Sequence, residues 1–179
     1  MFSECESLEN IDFSNSQVIN MSKMFYNCKL LKEIDLSNFN TQNVENMYSM
    51  FCGCSSLKKI NLSSFNTEKV VNMKNMFSEC LSLLEIDVSN FNTKNATNID
   101  YMFSECSSLK KIILFDLKNE NQIDMKYMFY GCYSLNKLTI PNWKTNNIIY
   151  MNNMFSKCSN ELKMKIKKNY KNIRDEAYD

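Results

Sequence analysis

Histidine is absent from this chain of 179 residues, and glycine and proline are rare, with two and one respectively. Without histidine, the Ser-His and Cys-His catalytic pairs are excluded, as is every metal site that contains histidine. The scarcity of glycine and proline excludes a flexible chain and a collagen-like chain. Hydrophobic residues make up 44% of the chain, which is enough to bury a core.

The chain also lacks an excess of charge and any long apolar run. Lys and Arg number 21 against 20 for Asp and Glu, so the net charge is +1. A nearly neutral chain has no overall attraction to nucleic acid or to an anionic membrane. No apolar run has the length of a membrane span, and no apolar signal-peptide region follows the first residues. The sequence therefore predicts no nucleic-acid partner and no membrane insertion, and a cytoplasmic location if Met1 is the true start.

What the chain does contain is a repeat. The dipeptide Met-Phe begins at residues 1, 24, 50, 76, 102, 128 and 154, so the interval is 23 residues once and 26 residues five times. Counted from its methionine, one unit reads M-F-x-x-C-x-S-L-x-x-I-x-L-S-x-F-N-T-x-x-V-x-N-M-x-x. A fixed period of this length is typical of stacked repeat architectures.

Each unit holds two apolar patterns. In "LKKINL", Ile60 and Leu62 alternate with polar residues, which predicts a short strand. In "VVNMKNMFSEC", apolar residues recur at intervals of three and four, which predicts a short helix or helical turn capped by Thr67. One unit cannot bury its apolar side alone. We therefore expect an α/β repeat protein, a right-handed solenoid with a parallel sheet on one side.

These residues carry a resemblance to a known family. The spacing L-x-x-I-x-L within a 26-residue unit looks like a leucine-rich repeat. The fuller pattern "SLxxIxLSxFNTxxVxNM" resembles the BspA-like leucine-rich repeats over residues 1 to about 158, with the fifth and sixth units departing most. The resemblance implies an exported surface protein of bacteria or mucosal protists that adheres to host matrix proteins, host cells or other microbes.

The repeat pattern also predicts how the chain divides. Residues 1–158 are expected to form the repeat region, in units that start at the seven Met-Phe positions, and residues 159–179 a carboxy-terminal cap. Leu162, Met164 and Ile166 alternate as in a final strand. No equivalent cap precedes Met1, so we expect an amino-terminal cap upstream. The alternative is a short gene whose first unit is frayed or self-associates.

The cysteines follow the repeat, and three interpretations are open. Position 5 of the unit holds seven of the eight cysteines, the eighth being Cys52. A disulfide, with Cys52 as its first candidate, requires Cβ atoms closer than the roughly 4.8 Å between in-register neighbours. A metal site requires a tetrahedral cluster, which a straight column does not make. The favoured interpretation is a column of buried free thiols that meet backbone carbonyls in the turn before the strand. The column comprises Cys5, Cys28, Cys54, Cys80, Cys106, Cys132 and Cys158.

If the core columns are structural, function lies on the outward positions of the strands. Ile113, Phe115 and Trp143 depart from the unit pattern. They predict either an exposed patch for a partner or core filling, and core filling is favoured for Trp143. The candidate partner-binding face comprises Asp35, Lys59, Asp87, Lys111, Ile113, Phe115, Lys137 and Thr139.

A catalytic reading of the acidic positions is the weaker alternative. Asp12 and Asp35 fall on neighbouring units, and carboxylates about 5 Å apart serve retaining glycosidases. No pattern for a pocket or a raised pKa accompanies them, so a solvated polar face is favoured. Asn40, Asn66 and Asn92 resemble turn residues that bond to the backbone.

The sequence therefore predicts a protein-binding repeat module that is not an enzyme and needs no cofactor or metal. By resemblance, it is the recognition region of a cell-surface adhesin whose partner is a host matrix or cell-surface protein. The alternative is an intracellular scaffold for protein partners, which suits free thiols and the absent signal.

Overall fold

The computed structural model describes residues 17–117, 122–141 and 148–179. The predictions made for Cys5, Asp12 and Trp143 lie outside these ranges. Within them, the strands are β1 Glu85–Asp87, β2 Lys111–Ile113, β3 Ile123–Asp124, β4 Lys137–Thr139 and β5 Ile148–Tyr150. The helices of the described part are α1 Asn160–Asn169 and a 3₁₀ helix at Asp175–Ala177. None of its helices combines the length and the apolar character needed to cross a bilayer.

The strands pair in parallel at the repeat interval. β1, β2 and β4 form one sheet in that order, with Glu85 opposite Lys111 and Lys111 opposite Lys137. In this sheet Ile86 and Ile112 are buried while Glu85 is exposed, so the predicted alternation is confirmed there. The equivalent residues 33–35 and 59–61 of earlier units are not paired as strands. A second parallel ladder joins β3 to β5 and continues through single bridges at Asn20, Asn46, Asn72, Asn98 and Asp124.

The second half of the described units was predicted to be a short helix or a helical turn; single turns are formed, and the short helix is wrong. The segment from residue 70 to residue 80 is a run of tight turns, in which the Met76 N–H donates to the Met73 carbonyl at 3.2 Å. Other amides point out of the unit: the Phe77 N–H donates to the carbonyl of Met102 in the next unit at 2.9 Å. An α-helix would direct all these amides into itself. The apolar spacing of three and four therefore arises from turns.

Left-handed residues produce these turns. In the described units, the residue before the Met-Phe and the residue before the column cysteine have positive φ, as at Asn75 (57°) and Glu79 (60°). A residue in this conformation ends a right-handed helix, and it costs a non-glycine residue roughly 1–2 kcal/mol. Among the described residues, glycine meets this requirement only at Gly53 (76°) and Gly131 (71°). The non-glycine residues at the other positions therefore hold a strained left-handed conformation, which forms the turns.

Thr67 was predicted to cap a helix, and this is wrong because no helix begins there. Its hydroxyl donates to the Asn92 carbonyl at 3.1 Å and accepts from the Asn92 N–H at 2.7 Å. Thr41 makes the same pair of bonds with Asn66, at 2.9 and 2.7 Å. Both threonines are buried. Each hydroxyl therefore replaces a backbone ladder bond between two units.

A column of phenylalanine rings runs through the core. From Phe25 to Phe155, the Met-Phe phenylalanines are fully buried and stack on one another from unit to unit. Ring stacking of this kind adds about 0.5–1.5 kcal/mol per pair beyond burial. The centroid separations are 5.1 Å for Phe25–Phe51, 5.5 Å for Phe51–Phe77, 5.6 Å for Phe77–Phe103, 5.8 Å for Phe103–Phe129 and 5.4 Å for Phe129–Phe155.

The end of the chain is helical where a strand was predicted, so that prediction is wrong. Helix α1 begins after Ser159, whose hydroxyl accepts from the Leu162 N–H at 3.2 Å. Leu162 and Ile166, four residues apart, are buried on one side, while Met164 is 66% exposed. The same three residues fit a strand pattern and a helix pattern, and the cap decides for the helix. The division of the chain at residue 158 stays a prediction.

The last residues continue the hydrogen bonding of the repeats. The Asn153 N–H donates to the Glu176 carbonyl and the Phe155 N–H to the Ala177 carbonyl, both at 2.7 Å. The Tyr178 ring stacks on Phe155 at 5.6 Å. The final segment thus occupies the place that another unit would take.

Candidate functional site

The column cysteines are part of the architecture. The Cys106 thiol donates to the Phe77 carbonyl at 3.0 Å, and Cys54, Cys80, Cys132 and Cys158 make equivalent bonds at 3.1–3.2 Å. Every cysteine of the described ranges is free, and no group of three metal-binding side chains occurs among the residues described. The predicted column of buried thiols that meet backbone carbonyls is confirmed there.

Burial also makes these thiols chemically inert. It raises the pKa of the Cys106 thiol to about 12, and that of the half-buried Cys52 to about 11. The reactive species of cysteine is the thiolate, which is scarce at neutral pH when the pKa is so high. The cysteines of the column therefore serve packing.

The strand face is the set of outward residues on the first sheet and its preceding units. The sheet brings together Asp87, Lys111 and Ile113, which line a shallow groove of about 270 Å³ with Lys59 and Glu85. Lys137 and Thr139 continue this face on β4. The residues predicted for the partner-binding face, from Lys59 to Thr139, therefore neighbour one another, with one exception.

The exception is Phe115, and its prediction as an outward residue is wrong. Its side chain is fully buried, as is that of Leu114 beside it. β2 ends at Ile113 and two successive buried residues follow it, so the alternation that would expose residue 115 ends with the strand. Phe115 fills the core, which was the other interpretation of its position.

The aspartates of the strand face hold turns. The Ser37 N–H donates to Asp35 and the Ser89 N–H to Asp87, both at 2.9 Å. Bonds from Ser37 lower the pKa of Asp35, and bonds from Ser89 lower that of Asp87. A carboxyl with a lowered pKa remains ionised at neutral pH and is a poor general acid. Since Asp12 lies outside the described residues, the Asp12–Asp35 pair itself is not tested.

The predicted asparagine turns are confirmed. Each of Asn40, Asn66 and Asn92 accepts the N–H of the second residue after it, at 3.2, 3.0 and 3.0 Å. This is the local side-chain-to-backbone bond that favours asparagine in turns. A third column makes the same bond at Asn20, Asn46, Asn72, Asn98 and Asp124.

A second exposed surface, on the turn segments, was missed by sequence reasoning. We define the tyrosine face as the tyrosines and lysines that adjoin one another there. Part of it is a groove of about 510 Å³ whose lining includes Tyr26, Tyr48 and Tyr101. The face comprises Tyr26, Tyr48, Tyr101, Tyr127, Tyr130, Tyr150, Lys23, Lys74, Lys126 and Lys157.

Contacts within the tyrosine face hold its rings in place. Tyr101 and Tyr127 stack with centroids 4.7 Å apart, and Tyr127 accepts from the Asn153 amide at 3.1 Å. The Lys74 ammonium lies 5.5 Å from the Tyr101 ring centre and donates to the Asp100 carboxylate at 3.0 Å. Such contacts fix side chains that would otherwise lose rotamer freedom on binding. The face is therefore preorganised.

Asp100 differs from its neighbours in the tyrosine face because its side chain is buried. Burial raises the pKa of this carboxyl, and the hydrogen bond from Lys74 opposes the rise. Asp124 and Lys126 form a second pair beside it at 2.9 Å. Acidic and basic groups are thus paired beside the rings, and these two pairs carry no excess of either charge.

The sequence does hold a signal for this face. Tyr48, Lys74 and Lys126 share one position of the unit, and Lys23, Tyr101 and Tyr127 share the next. These residues flank the Met-Phe motif. They were overlooked because a helix was expected there, and a helix would have spread them around its circumference.

Comparisons with known proteins give the following. A family model described as "Mycoplasma protein of unknown function, DUF285" matches residues 1–116 and again residues 82–176. No curated protein matches the chain. Among solved structures, the chain is similar to the crystal structure of the T. pallidum leucine-rich repeat protein TpLRR, at 19% identity and a TM-score of 0.47. That similarity covers 86% of this chain and 78% of the other.

Proposed function

Because the chain belongs to the family described as Mycoplasma protein of unknown function, DUF285, we propose that it is a non-enzymatic protein-binding module whose main contact surface is the tyrosine face. Its predicted membership of the BspA-like leucine-rich repeats is confirmed. In this proposal the units wind as a right-handed solenoid, and the repeated core serves to present outward side chains.

The observation that carries the proposal is the preorganised row of tyrosines. Tyrosine is enriched at protein interfaces because its ring supplies a large contact area and its hydroxyl a hydrogen bond. Tyr150 is 49% exposed, and the other tyrosines of the face are partly exposed. Adjoining rings that face solvent mark interaction sites on protein surfaces.

The charges of the tyrosine face favour a protein over a polyanion. Its lysines lie among carboxylates, as in the pairs Lys74–Asp100 and Lys126–Asp124. A surface that binds nucleic acid through phosphates requires a clear basic excess. A balanced surface with aromatic rings matches the composition of protein-recognition sites.

We further propose that the chain acts as the recognition region of a cell-surface adhesin, with a host matrix or cell-surface protein as its partner. Support comes from the family resemblance. The alternative proposal is an intracellular scaffold, and the free thiols of the described residues favour it, since thiols persist in reducing compartments.

Two experiments test these proposals. Brief trypsin treatment of intact source cells, with mass spectrometry of released peptides, should recover peptides of this chain if it is an adhesin. Recovery only after lysis would instead support the scaffold. Interferometry of the purified chain on immobilised extracellular-matrix proteins should then show saturable binding to at least one of them. Failure on every matrix and cell-surface protein tested would reject the adhesin proposal.

A further inference from the structure

The three-stranded sheet ends at β4. Its order is β1, β2, β4, and within the described ranges no strand pairs with the outer side of β4. The residues one repeat interval later, 163–165, lie in helix α1. Hence the element that follows β4 in the stack cannot offer it a ladder of backbone hydrogen bonds.

The backbone of Leu138 faces this open side. The Leu114 N–H donates to the Thr139 carbonyl at 3.1 Å, so residue 139 faces β2. Successive residues of a strand point their backbone groups to opposite sides, so Leu138 and Ile140 face outward. The Tyr170 hydroxyl donates to the outward Ile140 carbonyl at 3.2 Å, which fits this direction. Among the described residues, no such partner meets Leu138.

A cleft of about 320 Å³ lies between β4 and α1, and we name it the terminal cleft. Leu162 and Ile166 form its floor but are only 2% and 3% exposed, so the partly buried Leu138 supplies its accessible apolar surface. Leu138 is only partly buried, whereas its equivalents Ile86 and Ile112 are 3% and 0% exposed. The last strand is therefore less completely covered than the strands before it.

The rim of the terminal cleft is basic. Lys111, Lys137 and Lys165 line it, and no acidic residue of the described part does so. Lys165 is paired with Glu161 at 2.6 Å, and Lys111 lies in the strand register between Glu85 on β1 and Lys137 on β4. Adjacent like charges repel and are relieved by an anionic partner.

We propose that the terminal cleft accepts an extended, acidic segment of a partner protein, which adds to the sheet as a further strand beside β4. The outward N–H and carbonyl of Leu138 pair with the segment's backbone, as in other cases of strand addition to an open edge. Alternate side chains of the segment cover Leu138, and its carboxylates face Lys137, the lysine of the edge strand. This surface is separate from the tyrosine face, and the inference does not depend on the function proposed there.

The test uses the full chain and a fluorescent peptide of alternating glutamate and valine. Two control peptides carry lysine in place of glutamate, or N-methyl groups on alternate amides, which cannot donate hydrogen bonds. Fluorescence anisotropy should show the acidic peptide binding at least about tenfold more tightly than either control. In amide NMR spectra, the Leu138 resonance should shift when the acidic peptide is added.

Charge-reversal variants test the rim. Lys137→Glu should weaken the acidic peptide about tenfold, while Lys94→Glu, at an exposed lysine outside the cleft, should leave its affinity unchanged. The N-methylated peptide requires no change to the protein, so its result holds even if a variant misfolds. Equal binding of the N-methylated and unmodified acidic peptides would overturn the proposal. It would show that binding needs only negative charge and no backbone hydrogen bonds. Absence of saturable binding by the acidic peptide would overturn it as well.

Discussion

At the scale of single residues, the cysteine of each unit is defined by burial and one weak hydrogen bond. Cys106 is fully buried, donates to the Phe77 carbonyl, and has a pKa raised from 9.0 to about 12. Its position was predictable from sequence because a small apolar residue recurred at one place in every unit. The bond partner in the preceding unit depends on the stacking of backbones, which the sequence does not specify.

These thiols should make stability depend on pH. The folded pKa is raised, so above pH 9.0 the unfolded chain loses protons that the folded chain retains. The free energy of unfolding should be constant at neutral pH and fall between pH 9 and about 12, by about 1.4 kcal/mol per pH unit for one thiol. Urea titrations in reducing buffer at several pH values measure this. Cys106→Ala should show a shallower fall, and an unchanged slope in that variant would contradict the assignment.

Backbone strain is a second residue-scale property. Glu79 is exposed and has a φ of 60°, a conformation that glycine adopts freely. Glu79→Gly should therefore raise the free energy of unfolding by about 1 kcal/mol. Glu68→Gly, at an exposed residue that is not left-handed, serves as the matched control and should lower it. A lower urea midpoint for Glu79→Gly would show that the left-handed position is not strained.

At the scale of elements, the sequence predicted strands better than helices. Ile86 lies between the polar residues Glu85 and Asp87 and is buried as expected, because such alternation fits a strand with one buried side. Apolar residues at intervals of three and four fit two structures, namely a helix and a run of turns with left-handed residues. Asn75 and Glu79 decided for turns, and glycine, the usual marker, is absent from both positions. Leu162 and Ile166 were misread because alternation over five residues includes an i, i+4 pair.

Helix α1 supplies a prediction at this scale. The Ser159 hydroxyl accepts the Leu162 N–H at 3.2 Å, and the helix buries Leu162 and Ile166. Ser159→Ala should lower the free energy of unfolding by about 1 kcal/mol, since a helix amide loses its partner. Ser159→Asp restores an acceptor and should keep most of the stability. Equal urea midpoints for the wild type and Ser159→Ala would contradict the capping role.

At the scale of the whole molecule, the units depend on their neighbours. Each Met-Phe ring stacks on the next, and each turn segment donates amides to the following unit. Such a stack requires an end that satisfies its last unit. The composition of the core columns was readable from the sequence. The tyrosine face could not be predicted from the sequence, because its position depends on which side of the turns faces solvent.

The end of the stack should be essential for stability. Deleting residues 175–179 removes the Tyr178 ring from Phe155, and removes the carbonyls that accept from Asn153 and Phe155. We expect a loss of about 3 kcal/mol in the free energy of unfolding. Asp179 is exposed, and its deletion alone should change little. Thermal and urea unfolding of the two truncations separates the effect of losing the buried contacts from the effect of shortening the chain.

The measurement that tests the account most directly compares binding and stability of two double variants. Tyr101→Ser with Tyr127→Ser alters the tyrosine face, and Lys59→Ser with Ile113→Ser alters the strand face. Interferometry would record binding to the matrix protein that retains the unaltered chain, and urea unfolding would verify that both variants are folded. We predict that the tyrosine variant loses more than about tenfold in affinity while the strand variant binds as the wild type does. The opposite result, with binding lost only in the strand variant, would contradict the assignment of recognition to the tyrosine face.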